Sequence, residues 1–290
     1  PENVVIRNIR GTSSSNTITF TSLSGKNDDV IISGAGYSEP AYGAVKYGMF
    51  CVDSTSNVIV ENISFVPADQ SYPYNLHIRN ISRYFTLRNC QLTANLITTG
   101  YTGMNQFYME ATNVEGKNSD YVTVEGNTVT GGYIGLYMGG TSYVALTKEV
   151  GAVIRNNRLV NQASKGIYLL DERNALIEKN NISSATTQKT DYQAIDIFRC
   201  KDATIIRANK INISQAYYSK GINLRSEVAG TVSQPVLIYN NAVSIINSPN
   251  TSTYGITLTD NCSNIQLYYN TVYINVKPAM LWELPVVPKQ

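Results

Sequence analysis

A short phrase that recurs six times between Val122 and Ile274 constrains this chain more than any other feature. Each copy has an apolar pair, an asparagine three positions later and another apolar residue two positions after that, as in Val122–Val129. Successive asparagines lie 23 to 32 residues apart, a spacing typical of solenoids whose repeats accept insertions in their loops. The six asparagines are Asn127, Asn157, Asn180, Asn209, Asn241 and Asn270.

A second apolar pattern lies between the asparagine phrases, as in Gly166–Leu169, Gly221–Leu224 and Gly255–Leu258. It alternates with period two, which indicates strands rather than helices. A small residue precedes the apolar pair in most copies, as a tight corner requires. Each turn is therefore predicted to carry at least two short strands, stacked on the turn below by parallel pairing with a rise of about 4.8 Å.

This organisation resembles the right-handed parallel β-helix of the pectin-lyase-like proteins. The stretches Thr17–Gly25, Asp29–Gly34 and Cys51–Ile63 are similar to the opening turns of β-helix repeat domains in large secreted or surface bacterial proteins. The resemblance implies an all-β fold, a single-stranded right-handed solenoid of roughly nine to ten turns over residues 1–275. Residues 276–290 contain three prolines and are expected to form a C-terminal cap or linker. Segments 64–75, 95–120 and 140–150 fit the period worst and are expected to be loops.

The bulk composition narrows the functional classes. The formal net charge of +2 comes without a Lys/Arg block, so nucleic acid is not an expected partner, because neutralising phosphates requires a concentrated basic surface. Charged residues make up only 15% of the chain, which favours an extracellular or cell-surface protein. No apolar run reaches transmembrane length. Pro1 opens directly onto a strand pattern, so we expect the chain to be part of a longer precursor.

Four widely spaced cysteines and one histidine give little sign of a metal site. Cys90 occupies an apolar slot in the repeat, which predicts a buried thiol rather than a disulfide. No metal is expected, because a single histidine makes a zinc site improbable. His77 lies on a poorly matched stretch and is interpreted as a surface or corner residue.

The recurring asparagines are interpreted as a structural ladder. Stacked Asn side chains at one corner can hydrogen-bond to each other and to the turn backbone. Asn also accepts the left-handed backbone conformation that such a corner requires. Identical residues on every turn are typical of structure, whereas a functional site needs different residues at neighbouring positions.

The outward positions of the second pattern do vary from turn to turn. Between the two apolar residues they run Gly135, Tyr168, Asp196, Asn223 and Thr257, and further aromatic, acidic and basic residues follow within two positions. Aromatic faces stack on sugar rings, while Asp, Asn and Arg bind hydroxyls or uronate carboxylates. The expected partner is therefore a polysaccharide or surface glycan. The predicted glycan-binding residues are Tyr137, Tyr168, Asp196, Arg199, Asn223 and Arg225.

Catalysis is a weaker hypothesis with a few candidate residues. Asp171 and Asp196 lie on adjacent turns and are candidates for the carboxylate pair of a hydrolase, at the spacing of about 6.5–9.5 Å that inversion needs. The chain has no Asp-Asp doublet followed by Gly-His, as found in the pectin hydrolases, and no Arg-Pro-Arg-like lyase signature. The family's catalytic residues therefore cannot be assigned here.

A lyase would need a base and a cation that neutralises the uronate carboxylate. Tyr168 or Lys220 is the candidate base, and Arg199 or Arg225 is the candidate cation. No cofactor is expected unless the protein is a lyase, in which case Asp196 would be a calcium ligand.

Three functional hypotheses follow. The first is a secreted or cell-surface module that contacts glycan through its second strand. The second is a polysaccharide lyase or glycoside hydrolase with an atypical site near Tyr168, Asp171, Asp196 and Arg225. The third is a structural stalk or adhesin-like fibre domain, in which an exposed apolar strip such as Leu170 with Phe198 is buried between chains.

Overall fold

The protein is all-β throughout the part of the chain that its structure, a computed structural model, describes. No helix occurs in these ranges, and therefore none that could cross a membrane. The described residues are 3–34, 37–39, 45–68, 74–95, 105–110, 116–139, 149–185, 191–214, 216, 218–248 and 252–276.

Three parallel sheets of nine strands each run the length of the molecule. Sheet 1 contains β1 (Val4–Arg7), β6 (Phe50–Asp53), β9 (Tyr74–Arg79), β12 (Asn105–Met109), β15 (Ile134–Met138), β19 (Lys165–Leu170), β23 (Asp191–Phe198), β26 (Tyr218–Arg225) and β29 (Thr253–Leu258). Sheet 2 contains β2 (Ile18–Thr21), β7 (Val58–Glu61), β10 (Thr86–Arg88), β13 (Thr123–Glu125), β17 (Val153–Arg155), β21 (Leu176–Glu178), β24 (Ile205–Arg207), β27 (Val236–Tyr239) and β30 (Ile265–Tyr268). Sheet 3 contains β3 (Ile31–Ile32), β8 (Ser64–Phe65), β11 (Gln91–Thr93), β14 (Thr128–Thr130), β18 (Arg158–Val160), β22 (Asn181–Ser184), β25 (Lys210–Ser214), β28 (Ala242–Ser248) and β31 (Thr271–Val276).

Each turn of the chain visits sheet 1, sheet 2 and sheet 3 in order and then rises to the next turn. The predicted parallel β-solenoid is therefore confirmed, with three strands per turn where the sequence showed at least two. Two small sheets are added at its edges, β16 (Glu149–Val150) parallel to β20 (Glu172–Arg173), and β4 (Tyr37–Glu39) antiparallel to β5 (Val45–Tyr47).

The expected loops and terminal segment have different outcomes. Segment 95–120 was expected to be a loop, but it contains β12, a full member of sheet 1. The strands β8, β9 and β16 likewise fall within or overlap the other two expected loops. The cap or linker predicted for 276–290 lies outside the described residues, except for Val276 at the end of β31.

Stacked aliphatic side chains fill the interior. In sheet 2, Ile177 lies between Ile154 and Ile206 on the neighbouring turns, and all three are completely buried. Burying one such side chain contributes about 1.5–3 kcal/mol relative to leaving it in water. Because every turn adds similar columns, the stability of the solenoid comes from contacts between adjacent turns.

The predicted asparagine ladder is confirmed at the corner between sheets 2 and 3. The Asn180 amide Nδ2 donates to the Ile154 carbonyl at 2.9 Å and to Asn209 Oδ1 at 3.0 Å. Asn180 Oδ1 accepts from both the backbone N and the Nδ2 of Asn157, each at 3.0 Å. The same pattern links Asn127 through to Asn270.

The left-handed backbone at this corner belongs to the residue before each ladder asparagine, not to the ladder residue as expected. Asn89 also has a positive φ of 54°, and the next residue, Cys90, takes the ladder position, where its backbone N donates to Asn127 Oδ1 at 2.9 Å. Cys90 is a buried free thiol, as predicted. Cys51 and Cys200 are also buried free thiols, and Cys262 is a half-buried one. The left-handed residues before the six asparagines are Gly126, Asn156, Lys179, Ala208, Asn240 and Tyr269.

A column of small residues runs through sheet 1. A Cβ on Gly166 would lie 2.6 Å from the Ala194 carbonyl oxygen and 2.9 Å from a methyl of Ile182, so this position faces the crowded interior. Its neighbours in the chain, Lys165 and Ile167, face outward and inward respectively. Because Gly166 and Ile167 both face the interior, the in–out alternation of the strand breaks here, and Lys165 and Tyr168 lie on the same outer face.

Candidate functional site

The outer face of sheet 1 carries one side chain from the middle of each strand, stacked in what we term the central column. Its register is set by parallel pairing, in which Tyr168 lies between Tyr137 and Asp196, and Asn223 follows Asp196. The structure therefore brings Tyr168, Asp196 and Asn223 together on a common face, as the sequence predicted. The column comprises Val5, Cys51, His77, Tyr108, Tyr137, Tyr168, Asp196, Asn223 and Thr257.

Gly135 does not belong to this column, and the prediction that placed it there is wrong. Tyr137 is the residue that pairs with Tyr168. Gly135 occupies the interior small-residue column, where an added Cβ would lie 2.7 Å from the Gly166 carbonyl oxygen. The phrase Gly135–Met138 is therefore the true equivalent of Gly166–Leu169, two residues away from the alignment that the sequence suggested.

Four hydrogen bonds saturate the carboxylate of Asp196, which is completely buried. Oδ1 accepts from Asn223 Nδ2 at 2.9 Å and from Arg225 Nε at 3.1 Å. Oδ2 accepts from Lys165 Nζ at 2.6 Å and from Arg225 Nη2 at 3.0 Å. We term Lys165, Asp196 and Arg225 the Asp196 cluster. Calcium ligation by Asp196 would require at least one of these bonds to break.

The electrostatics of this cluster keep Asp196 ionised. Burial alone would raise the pKa of Asp196, but the Arg225 hydrogen bonds and the charges of Lys165 and Arg225 outweigh it and lower the pKa. Burial lowers the pKa of Lys165, and Asp196 opposes that shift. General acid catalysis needs a pKa near the operating pH. Asp196 is therefore poorly suited to proton transfer and well suited to positioning two cations.

The second predicted carboxylate, Asp171, is also ion-paired. Arg199 Nε and Nη2 donate to its two oxygens at 3.0 and 2.5 Å. The Phe198 ring contacts the guanidinium groups of both Arg199 and Arg225, at 4.6 and 4.5 Å from the ring centroid. The structure thus brings the predicted residues Arg199 and Arg225 together on one aromatic ring, with Asp171 paired to Arg199.

A row of four half-buried tyrosines continues the face toward the N-terminus. The rings of Tyr74 and Tyr108 stack at 4.2 Å, Tyr108 and Tyr137 lie 5.0 Å apart, and Tyr137 meets Tyr168 edge-on at 5.2 Å. Burial raises the pKa of all four hydroxyls, although Arg225 opposes the shift at Tyr168. Tyr168 is therefore a neutral phenol at physiological pH, which suits stacking and hydrogen bonding better than proton abstraction.

His77 corrects a further prediction, because it is buried in the central column rather than at the surface or a corner. Its Nε2 lies 3.0 Å from Glu110 Oε2, and its side chain is only 1% exposed. Burial lowers the pKa of His77, and the Glu110 contact opposes that shift. Sequence reasoning missed this centre because it treated segment 95–120, which supplies Tyr108 and Glu110, as a loop.

A pocket of about 360 Å³ opens on the same sheet toward the C-terminus. The exposed rings of Tyr218 and Tyr254 help to line it, and Lys220 Nζ lies 3.7 Å from Asp191 Oδ2. Lys220 thus lies beside the predicted site, one turn beyond Gln193. The pocket lining comprises Asp191, Tyr218, Lys220, Ser252 and Tyr254.

Metal-binding clusters are absent from the residues that the structure describes. Nowhere in those ranges do three His, Cys, Asp or Glu side chains come together in an arrangement that could hold a metal ion. The charged groups of the outer face are instead paired with one another, as in Asp196 with Arg225 and Asp171 with Arg199.

Comparison with known proteins agrees with this architecture. Residues 144–282 match the family described as the right handed beta helix region. The protein is accordingly a right-handed parallel β-helix, consistent with the pectin-lyase-like folds. No curated protein matches the sequence.

One solved structure shares the fold over nearly the whole chain. It is the GH136 lacto-N-biosidase from Eubacterium ramulus, which superposes with a TM-score of 0.52 at 11% sequence identity. The superposition covers 94% of this chain and 59% of the biosidase chain. At this identity the likeness shows the fold alone.

Proposed function

We propose that this protein is an extracellular or cell-surface β-helix that binds a glycan along the outer face of sheet 1. The observation that carries the proposal is the unbroken row Tyr74, Tyr108, Tyr137 and Tyr168, which leads directly into the Asp196 cluster. Half-buried tyrosines offer apolar ring faces to a sugar and hydroxyls to its polar groups. A solved structure of similar fold is a lacto-N-biosidase, which supports a carbohydrate ligand.

The direction of the row suits a linear polymer. Successive tyrosines rise with the turns of the solenoid at about 4.8 Å each, so the face is an extended strip rather than a closed cavity. The strip runs from the tyrosine row through the polar residues Asp196 and Asn223 to the pocket lined by Tyr218 and Tyr254. A glycan chain lying along this strip would contact several turns at once.

A binding assay against a panel of acidic and neutral oligosaccharides tests the proposal. Tyr137→Ala and Tyr168→Ala should each weaken binding about fivefold, because each removes one stacking surface worth roughly 1 kcal/mol. Tyr268→Ala is the matched control, since Tyr268 stacks on Tyr239 at 4.9 Å on the outer face of sheet 2. Equal effects of all three substitutions would show that the strip is not the binding face.

An enzymatic role is the second candidate, and one contact favours it. Arg225 Nη2 lies 3.2 Å from the Tyr168 hydroxyl, a phenol beside a cation of the kind that a lyase would need. Incubation with the bound glycan, followed by analysis for new reducing ends or unsaturated uronates, distinguishes the two. Binding without either product supports the non-catalytic module.

Among the described residues, Leu170 and Phe198 do not form the exposed apolar strip on which the fibre hypothesis was based. Leu170 is buried, with an exposed fraction of 6%, so it does not form an apolar strip with Phe198 for another chain to cover. Phe198 itself contacts Arg199 and Arg225.

A further inference from the structure

In the Asp196 cluster the anion is buried, and the two cations lie closer to the protein surface. Asp196 is completely buried, whereas the side chains of Lys165 and Arg225 are 13% and 28% exposed. Two positive charges and one negative charge leave the cluster with a net charge of +1. The surface that a ligand meets is therefore cationic, although the chain as a whole is close to neutral.

The two cations also keep hydrogen-bonding capacity for a ligand. Arg225 uses Nε and Nη2 on Asp196 and Tyr168, and among the described residues its Nη1 has no hydrogen-bond partner. Lys165 directs one bond to Asp196, out of the three that an ammonium group can donate. Both groups are held in place by Asp196, so little side-chain entropy is lost when a ligand binds.

The aromatic ring beside the two cations indicates that the charged group of the ligand is a substituent on a sugar ring. Lys165 Nζ lies 4.7 Å from the centre of the Tyr168 ring, and the Arg225 guanidinium lies 5.8 Å from it. A sugar ring resting on Tyr168 would bring a substituent within reach of both cations. A neutral sugar would cover the partly buried surplus charge without neutralising it, which is unfavourable.

We infer that Lys165 and Arg225 form a subsite for a carboxylate or sulfate group on a sugar whose ring lies on Tyr168. This inference rests on the proposed glycan-binding function and specifies the ligand as an anionic glycan. Arg225 provides the planar N–H groups that match such an anion, and Lys165 adds a point charge. Asp196 acts as a positioning residue beneath them.

Calorimetric titration with matched ligands tests the subsite. Uronic acid oligosaccharides, their methyl esters, a sulfated oligosaccharide and sodium sulfate alone are compared on the full chain. We expect the uronate or the sulfated sugar to bind at least tenfold more tightly than the uncharged esters. Free sulfate should bind much more weakly than either sugar, because it lacks a ring to stack on Tyr168.

Two substitutions that remove one positive charge each separate the subsite from general electrostatics. Arg225→Gln should weaken binding of the charged sugar at least tenfold more than binding of the ester, so that the two affinities converge. Arg158→Gln removes a charge from an exposed position on sheet 3 and should change neither. If Arg225→Gln does not fold, Lys165→Gln takes its place in the same comparison.

The outcomes distinguish this inference from the function on which it rests. Equal affinities for the acid and its ester would overturn the anionic subsite while leaving glycan binding intact. So would an Arg225→Gln variant that weakens both ligands equally. Absence of binding in every arm would remove the proposed function as well.

Discussion

Arg225 binds Asp196 from the adjacent turn through two parallel hydrogen bonds, Nε to Oδ1 at 3.1 Å and Nη2 to Oδ2 at 3.0 Å. A bidentate pair of this kind fixes orientation as well as distance. Because the carboxylate is buried and the guanidinium is partly exposed, the pair holds a cation at a defined place on the outer face. A site of this precision comes from the parallel register of β23 and β26.

Removing the Asp196 charge should destabilise the protein strongly. Asp196→Asn keeps the size of the side chain but leaves Lys165 and Arg225 without their shared counter-ion. We expect the free energy of unfolding to fall by about 3 kcal/mol, the low end for a broken buried pair, because both cations retain some solvent contact. Urea denaturation at neutral pH measures the change.

An exposed ion pair provides the control for this loss. Arg173 Nε lies 2.6 Å from Asp202 Oδ2, and half of the Arg173 side chain is exposed. Asp202→Asn should therefore cost less than about 1 kcal/mol. Similar small losses in both variants would mean that Asp196 does not hold the cluster together.

The asparagine ladder should fail most severely at its middle. Asn180→Ala removes a side chain that accepts two hydrogen bonds from Asn157 and donates to Ile154 and Asn209. The groups left without partners are buried, and each unsatisfied group costs about 1–3 kcal/mol. We expect a total loss of at least roughly 3 kcal/mol in the free energy of unfolding.

The neighbouring residue offers a matched comparison. Asn181 has an exposed side chain, so Asn181→Ala should lie within about 0.5 kcal/mol of the parent. Denaturation curves of the two variants, recorded side by side, decide the point. If Asn180→Ala lowered the free energy of unfolding no more than Asn181→Ala, the ladder would not contribute to stability.

The repeat made most of the fold predictable, because parallel stacking turns one local pattern into a column. Once Asn157 and Asn180 are recognised as equivalents, the turns between them follow, and so does the common face of Tyr168 and Asp196. The sequence alignment of the turns was wrong at Gly135, because two apolar pairs overlap there. Only the crowded interior around Gly135 shows which pair is equivalent to those of the other turns.

The chemistry of the outer face was much less accessible from sequence. Lys165 lies just before the break in alternation at Gly166 and Ile167, and only that break shows that Lys165 shares a face with Tyr168. Tyr108 and Glu110 lie in a stretch too irregular to match the repeat. Sequence patterns also give no measure of burial, so Asp196 was expected to be an open groove residue when it lies beneath two cations.

The buried imidazole of His77 should make the protein less stable as the pH falls into the mildly acidic range. Burial lowers its pKa, so the unfolded state binds a proton more readily than the folded state. The contribution of neutral His77 is thus present above its unfolded pKa of about 6.5 and is lost as the pH falls below that value. His77→Gln should remove this dependence between pH 7 and pH 5, measured by urea midpoints. Superimposable pH profiles for the parent and His77→Gln over that range would contradict the expectation.

Glu149 should produce a pH dependence of the opposite sign. It pairs with Glu172 across β16 and β20, and both carboxyl groups are buried. Burial first, and then the charge of Glu172, raise the pKa of Glu149 well above its ordinary value, with Asp171 and Asp120 adding to the shift. In the folded protein Glu149 therefore retains a proton that the unfolded chain releases.

A raised carboxyl pKa favours folding most fully below the unfolded pKa of about 4.3, and this contribution is lost as the pH rises toward the folded pKa. The contribution of Glu149 to stability should therefore decline from pH 5.5 to pH 8.5, and Glu149→Gln should lack this decline and be more stable than the parent at the higher pH. Glu125→Gln is the control, because Glu125 is a partly exposed partner of Arg155 on sheet 2. The His77 effect acts below pH 7 and has the opposite slope. Comparing His77→Gln with the double variant His77→Gln/Glu149→Gln therefore isolates the contribution of Glu149. Parallel pH profiles for the parent and Glu149→Gln would show that Glu149 does not retain a proton in the folded protein.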